Sequence, residues 1–259
     1  MKTFRSSSVR WCAVFLVASI LSPVCSADLP ETIERVKPSI VAIGTFQKTQ
    51  SPQFAFRGTG FVIGDGNMIA TNAHVLPDGS TAGGAELAVL LRSAQGEPAI
   101  RRARVTAKAS ERDLAVIRFD GPPLPALKLV DSSAVREGDS IAFTGFPIGG
   151  ALGFSPVTHH GIVSAITPIA IPGGNSKQLN ETVIQRLKSG AFNIFQLDAT
   201  AYPGNSGSPV YHANSGEVIG IINMVFVKGS KESALSQPSG ISYAIPANHL
   251  KSLLFPSVN

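Results

Sequence analysis

The sequence predicts an all-β protein, and its composition and the spacing of its apolar runs support that prediction. Hydrophobic residues make up 44% of the 259-residue chain and charged residues only 15%. The chain therefore has ample apolar material for a core, which disfavours a disordered protein. The 25 glycines and 18 prolines, together with few long helical patterns, indicate many short strands joined by turns. A β-sandwich or a β-barrel is the architecture expected of such a chain.

Two sets of β-rich runs, each bounded by turn residues, are separated by a connector. The first set comprises Ser39–Gly44, Gly60–Ile63, Met68–Ala70, Leu87–Leu91, Arg102–Ala107 and Leu114–Phe119. The connector is Gly121–Pro125, whose prolines cannot donate a full ladder of hydrogen bonds. The second set comprises Ser140–Phe143, Gly161–Ile166, Phe192–Asp198, Val218–Asn223 and Ile241–Ile245.

Short helices are predicted near both ends of this strand pattern. Leu29–Val36 has a helical pattern that Pro38 ends, and Pro246–Leu254 reads as a closing helix. Between the strands of the second set, residues 173–190 form a polar excursion in which Glu181–Lys188 is predicted to be a short helix.

The first 27 residues have the layout of a secretory signal peptide. Lys2, Arg5 and Arg10 give a positive start, Trp11–Leu21 is mostly apolar, and Cys25–Ala27 offers small residues at a cleavage site. The apolar run falls below the ~20 residues needed to cross a bilayer, so an uncleaved anchor is the weaker interpretation. We therefore expect export to the periplasm or the medium, with cleavage after Ala27.

Removal of this segment changes the composition of the mature protein. Both cysteines, Cys12 and Cys25, leave with it, so no disulfide is expected. A lipoprotein anchored at Cys25 is disfavoured because Val24 is bulky where such signals have a small residue. Three of the 22 Lys and Arg residues leave and none of the 17 Asp and Glu residues do, so the net charge falls from +5 to +2. Nucleic-acid binding gains no support from that charge.

The segment Tyr202–Pro209 carries the strongest chemical signal. Ser206 lies between two glycines, and a serine hydroxyl needs a positioned base and a site for the developing oxyanion before it becomes a good nucleophile. Small neighbours permit a tight turn that exposes the hydroxyl, and they let the backbone N–H groups of Gly204 and Ser206 converge on one point. An ordinary Gly/Ser turn is the alternative explanation.

Two further segments supply partners for this serine. His74 follows a strand in Ala70–Val75, where a single histidine is more often a core or surface residue than a base. Asp113 opens the apolar strand Leu114–Phe119, where an aspartate is usually a turn former. An aspartate there can instead hold an imidazole in the tautomer that a general base requires.

The three segments together resemble the trypsin-like peptidases, and most closely the HtrA/Deg branch of exported bacterial proteases. The resemblance lies in the order His74, Asp113, Ser206, in the strand Gly58–Ile63 and in Asp113–Ile117. It extends over nearly the whole mature chain, roughly Val36 to Leu250, through Gly145–Gly149, Gly161–Ala165, Asp198-Ala199 and Gly240–Asn248.

This resemblance implies two six-stranded antiparallel β-barrels with a cleft between them. It assigns residues 28–127 to an N-terminal barrel carrying His74 and Asp113, and residues 128–259 to a C-terminal barrel carrying Ser206. The implied activity is that of a serine endopeptidase with the catalytic triad His74, Asp113 and Ser206 and an oxyanion hole at Gly204 and Ser206.

The resemblance also points to the residues of the primary specificity pocket. Because no acidic or basic residue falls among them, a charged substrate side chain would be buried without a partner, and small or medium aliphatic side chains are expected. The pocket residues implied are Thr200, Ala201, Asn223, Met224, Val227 and Ile241.

The chain departs from the family pattern at one position beside the nucleophile, and its remaining features predict no metal site. Ser208 stands where a second glycine usually follows the nucleophile. We expect that no PDZ domain follows the closing helix and that the protein is a monomer. Its expected substrates are polypeptides, and no stable membrane association is expected after signal cleavage. His159 and His160 are interpreted as surface residues, and the five histidines show no metal-binding spacing, so neither a metal nor another cofactor is expected.

Two alternatives remain open from the sequence. One is a catalytically silent binding or holding module on the same fold, although all three triad residues are present. The other is a protease that inhibits itself, with residues 173–190 as a movable gate.

Overall fold

The protein folds into two closed antiparallel barrels of six strands each. The predicted fold class is therefore confirmed. The computed structural model describes residues 28–77, 84–92, 97–149, 153–168, 192–223 and 240–255. The predicted signal segment, the excursion at 173–190 with its helix at Glu181–Lys188, and the pocket residues Met224 and Val227 lie outside the described residues.

The first barrel has the strand order β1-β2-β3-β6-β5-β4 and closes between β4 and β1. Apolar residues spaced two apart along the strands, such as Val41 and Ile43 on β1, point into one core, as the pleat of a strand requires. The strands are β1 (Ile40–Phe46), β2 (Phe54–Ile63), β3 (Met68–Thr71), β4 (Glu86–Arg92), β5 (Pro98–Ala109) and β6 (Leu114–Phe119).

The second barrel repeats this plan with the order β10-β11-β12-β9-β8-β7. Its strands are β7 (Ser140–Gly145), β8 (Val157–Pro168), β9 (Asn193–Asp198), β10 (Pro209–His212), β11 (Val218–Ile222) and β12 (Ile241–Pro246). The sequence pattern did not predict β10, because four residues that begin with proline give too short a run to read as a strand. This strand matters for the site, since it continues directly from the turn that contains Ser206.

The two predicted terminal helices are present, and each one contacts the barrel that it does not adjoin in sequence. Helix α1 (Leu29–Val36) is capped by the Asp28 carboxylate, which accepts a hydrogen bond from Leu29 N. Its buried Thr32 donates to the Asn214 carbonyl in the turn between β10 and β11. Helix α2 (Ala247–Leu254) follows β12 and contacts β5 and β6 of the first barrel. The helices therefore help to hold the two barrels together.

The seam between the barrels is apolar and rich in phenylalanine. Phe54 and Phe56 from β2 meet Phe146 and Phe154 from the second barrel in edge-to-face contacts, with ring centroids 5.7–6.4 Å apart. Among the helices that the structure describes, none is both long enough and apolar enough to span a bilayer.

Candidate active site

His74 and Asp113 are brought together by the pairing of β3 with β6. These strands run antiparallel with Thr71 opposite Ala115, so the end of β3 adjoins the beginning of β6. His74 lies in the 3₁₀ turn that follows β3, and Asp113 directly precedes β6. The Ala73 N–H donates to the Asp113 carbonyl at 3.1 Å, which fixes the turn against the strand.

The Asp113 carboxylate is buried and holds His74 at two points. The backbone of Asp113 is in the left-handed region, with φ 54° and ψ 42°, and the residue is 4% exposed. Oδ1 accepts a hydrogen bond from His74 N at 2.9 Å, and Oδ2 lies 2.6 Å from His74 Nδ1. Because a carboxylate can only accept, Nδ1 carries the proton in this pair, and Nε2 of a neutral ring is left as a base.

Asn223 completes the surroundings of this carboxylate from the second barrel. Its Nδ2 donates to Asp113 Oδ2 at 2.8 Å, and its side chain is fully buried. The sequence assigned Asn223 to the substrate pocket, whereas the structure directs its side-chain amide toward Asp113. The sequence did contain a signal for this role, since a polar residue directly after the apolar strand Val218–Ile222 is expected to be buried and to need a hydrogen-bond partner.

Ser206 lies in a tight turn whose shape depends on two glycines. Gly204 has φ +104° and Gly207 has φ +87°, a region that residues with a side chain rarely adopt. A Cβ at Gly207 would lie 2.1 Å from the Thr59 carbonyl oxygen, so the turn also approaches β2 too closely for any side chain there. Ser206 itself is 6% exposed.

Backbone contacts bring the Ser206 turn to the same seam as His74 and Asp113. Thr59 N donates to the Ser206 carbonyl at 2.9 Å, and Gly207 N donates to the Ile222 carbonyl, next to Asn223, at 3.0 Å. Within the described part of the chain, no hydrogen bond joins the His74 ring to Ser206. The predicted hydrogen bond of His74 with Asp113 is present, and the proximity of the ring to Ser206 stays a prediction. Catalytic hydrogen bonds often tighten only when substrate binds.

Two backbone donors in this turn are available for an anion. The Gly204 and Ser206 N–H groups donate to no acceptor among the residues that the structure describes. Pro203 O, in the same peptide group as the Gly204 N–H, accepts a hydrogen bond from Ile148 N at 2.7 Å. The Gly204 N–H therefore points away from Ile148. Where free N–H groups converge on one point, they stabilise negative charge that develops on a carbonyl oxygen.

Apart from Asn223, the predicted pocket residues that the structure describes lie on two neighbouring segments. Ser242, on β12, joins these segments, since its buried hydroxyl donates to Ala199 O at 2.7 Å and accepts from Ala201 N at 2.9 Å. Thr200 and Ala201 therefore lie beside the start of β12, where Ile241 is 42% exposed. Ser242 was not among the residues that the sequence singled out.

The paired histidines on β8 differ from each other. His160 is exposed, as predicted, and hydrogen bonds Ser140. The surface assignment of His159 is wrong, because its half-buried ring stacks on Phe143 with centroids 4.8 Å apart and tilts against Tyr202. Burial lowers the pKa of His159, since the charged form loses solvation. No group of three or more potential ligands in the described ranges is arranged to hold a metal.

Comparison with known proteins identifies relatives for most of the chain. Residues 58–221 match the family model of the trypsin-like peptidase domain. A DegP-like periplasmic serine endoprotease of Pseudomonas putida is 26% identical, and the alignment covers 95% of this chain and 54% of that protein. The serine protease Do-like HtrB of Bacillus subtilis is 28% identical over 90% of this chain and 48% of its own length. The chain thus spans about half the length of these curated relatives.

Solved structures agree with the fold. The HtrA-type protease AlgW, solved with a tripeptide, superposes with a TM-score of 0.60 at 27% identity. That superposition covers 88% of this chain and 64% of AlgW.

Proposed function

This chain belongs to the trypsin-like peptidase family, and on that premise we propose that it is a serine endopeptidase with the catalytic triad His74, Asp113 and Ser206. The observation that carries the proposal is the Asp113 carboxylate bonded to His74 Nδ1 at 2.6 Å, at the seam where β2 holds the Ser206 turn. A buried carboxylate that orients a histidine, together with a serine in a tight turn at the same seam, is the set of groups that acyl transfer needs.

The proposed reaction proceeds through an acyl-enzyme. Nε2 of His74 takes the proton of the Ser206 hydroxyl while Oγ attacks the scissile carbonyl carbon. The N–H groups of Gly204 and Ser206 stabilise the oxyanion that forms, and Asp113 stabilises the imidazolium. The protonated ring then delivers its proton to the leaving amine. Water, activated by the same histidine, hydrolyses the ester and releases Ser206.

The proposed substrates are polypeptides cleaved after small or medium aliphatic residues. Ala201 and Ile241 are apolar, and Thr200 is uncharged, so these residues offer no partner for a charged side chain. Met224 and Val227 remain part of this proposed pocket on the sequence alone. Asn223 would contribute to the pocket through its backbone, since its amide is engaged with Asp113.

A peptide library in which the cleaved position is varied tests this specificity. We expect cleavage after Val, Ala, Ile and Leu to exceed cleavage after Lys, Arg, Asp and Glu by 10²-fold or more, about 3 kcal/mol, because an unpaired buried charge is costly. The measurement is the relative kcat/KM from mass spectrometry of the products. Preferred cleavage after a basic or acidic residue would contradict the proposed pocket while leaving the peptidase activity itself established.

We further propose that the protein acts in the periplasm as a monomer. The name of the Pseudomonas putida relative places that protein in the periplasm, and the basic start and apolar run of residues 1–27 support export. No stable membrane association is proposed for the mature form.

The proposed signal cleavage predicts the N-terminus of the mature protein. Protein recovered from the producing cell is expected to begin at Asp28, as measured by intact mass and N-terminal sequencing. The mature form should also lack tryptophan fluorescence, because Trp11 is the only tryptophan of the chain. Retained Met1 in an integral membrane fraction would contradict the proposal and favour an uncleaved anchor.

A further inference from the structure

Thr59, on β2 of the first barrel, makes hydrogen bonds to three residues of the second barrel, two of them in the Ser206 turn and one in the turn that follows β7. Its side chain is fully buried. Its hydroxyl donates to the Gly204 carbonyl at 2.7 Å and accepts from Phe146 N at 3.1 Å. Its backbone N–H donates to the Ser206 carbonyl at 2.9 Å. One residue that carries none of the proposed chemistry thus contacts both sides of the proposed oxyanion site.

The orientation of the Gly204 N–H depends on contacts outside its own segment. Because glycine has no Cβ, its backbone rotates more freely than that of other residues, and Gly204 adopts φ +104°. Hydrogen bonds hold the two peptide planes that meet at its Cα, and the second plane is held in part by Asn205 N, which donates to the Tyr202 carbonyl at 2.9 Å. Pro203 O accepts from Ile148 N at 2.7 Å, and Gly204 O accepts from the Thr59 hydroxyl.

The Thr59 hydroxyl also supports the hydrogen bond from Ile148 N to Pro203 O, which holds the peptide plane that contains the Gly204 N–H. Phe146, whose N–H donates to Thr59 Oγ1, begins the turn that contains Ile148. That turn is closed by a hydrogen bond from Gly149 N to the Phe146 carbonyl. Removal of the hydroxyl therefore takes the hydrogen bond from the Gly204 carbonyl, leaving its peptide plane held by Asn205 N alone, and loosens the turn that holds the Pro203 carbonyl.

We propose that Thr59 is a positioning residue that sets the geometry of the oxyanion site from the opposite barrel. This inference rests on the proposed serine endopeptidase function, since the site matters only if an oxyanion forms there. Thr59 touches no substrate. Its hydroxyl keeps the Gly204 N–H aimed at the point where negative charge develops, and its N–H fixes the peptide group that follows Ser206.

Thr59→Val and Thr59→Ser test the role of the hydroxyl. Valine keeps the shape of threonine but lacks the hydroxyl, whereas serine keeps the hydroxyl but lacks the methyl group. We expect Thr59→Val to lower kcat by about 10–10²-fold, somewhat less than the loss of a whole oxyanion donor. KM should be unchanged, since the affected interaction forms only in the transition state. Thr59→Ser should restore most of kcat.

Thr32→Val is the matched control. Thr32 is also fully buried, and its hydroxyl donates to the Asn214 carbonyl of the second barrel at 3.3 Å. Its removal costs that hydrogen bond without touching Gly204, so kcat should stay near the wild-type value while thermal stability falls. Wild-type kcat in folded Thr59→Val, or equal losses of kcat in Thr59→Ser and Thr59→Val, would overturn the proposal.

An NMR measurement tests the positioning without relying on activity. Labelling proline carbonyl carbon and glycine amide nitrogen selects Pro–Gly peptides, of which the sequence has two, Pro172-Gly173 and Pro203-Gly204. Gly173→Ala assigns the remaining signal to Gly204. We expect this signal to shift or broaden in Thr59→Val and to return in Thr59→Ser. An unmoved signal would overturn the role of Thr59, whereas wild type that cleaves no peptide would contradict the proposed function alone.

Discussion

Replacing Ser206 by alanine is expected to abolish labelling by a fluorophosphonate reagent and to lower kcat by about 10⁶-fold, as the loss of the nucleophile does in other serine proteases. The reagent forms a covalent bond with an activated serine hydroxyl, and alanine has none to offer. Ser206 is small and nearly buried, so alanine fills the same space and the fold should be retained. Mass spectrometry of the labelled protein and the turnover of one aliphatic peptide substrate provide the measurement.

Ser208→Ala is the matched control for this experiment. Ser208 lies two residues beyond Ser206, is fully buried, and its hydroxyl has no hydrogen-bond partner among the described residues. Its removal should therefore cost little stability and leave labelling intact. Labelling that persists in Ser206→Ala would place the reactive serine elsewhere. A folded wild type that resists the reagent would favour the silent or self-inhibited module over the open protease.

The strands could be predicted from the sequence because each one is encoded by a few neighbouring residues, whereas the arrangement in two barrels was implied by the family resemblance. β1 and β6 begin as short, nearly continuous apolar runs that are buried at almost every position, and such a run can be recognised from a few neighbouring residues. The pairing of β3 with β6 then follows from the fold that the family resemblance implies. The contact of His74 with Asp113 follows from that pairing, although 39 residues separate them.

The surroundings of the triad could not be predicted in the same way. Asn223 reaches Asp113 across 110 residues of sequence and from the other barrel. Thr59 reaches Gly204 across 145 residues. No periodicity along one strand encodes such contacts, because they arise only when two closed barrels meet with a particular orientation. Asn223 gave a visible signal because it follows an apolar strand, whereas Thr59 lies within β2 and gave none, and the structure was needed to identify the partner of each.

Asp113→Asn is expected to lower kcat by about 10⁴-fold while the protein remains folded. Asparagine tolerates the left-handed backbone that Asp113 adopts, so the turn before β6 should keep its shape. The loss of kcat follows from the hydrogen bonds of Asp113, because both of its carboxylate oxygens accept and asparagine has only one acceptor oxygen. Oδ1 faces His74 N–H, and Oδ2 faces His74 Nδ1 and the Asn223 amide.

Neither orientation of the asparagine amide satisfies these three contacts. If its NH₂ takes the place of Oδ2, it donates to Nδ1, so the proton of a neutral ring moves to Nε2 and the base is lost. If it takes the place of Oδ1, it opposes the His74 N–H with a second donor and shifts the histidine turn. Both outcomes remove the imidazole from the task of accepting the Ser206 proton.

Asp65→Asn separates this effect from a mere loss of charge. Asp65 is an exposed carboxylate on the first barrel, paired with Arg118 at 2.7 Å. Its replacement by asparagine makes the same chemical change outside the candidate site. We expect turnover close to wild type for Asp65→Asn and a 10⁴-fold loss for Asp113→Asn on the same aliphatic peptide, with both variants folded by circular dichroism. Near-normal turnover of Asp113→Asn at neutral pH would mean that another carboxylate, or none, supports His74. The geometry argues against that result, because Asp113 is the carboxylate that contacts the His74 ring among the residues that the structure describes.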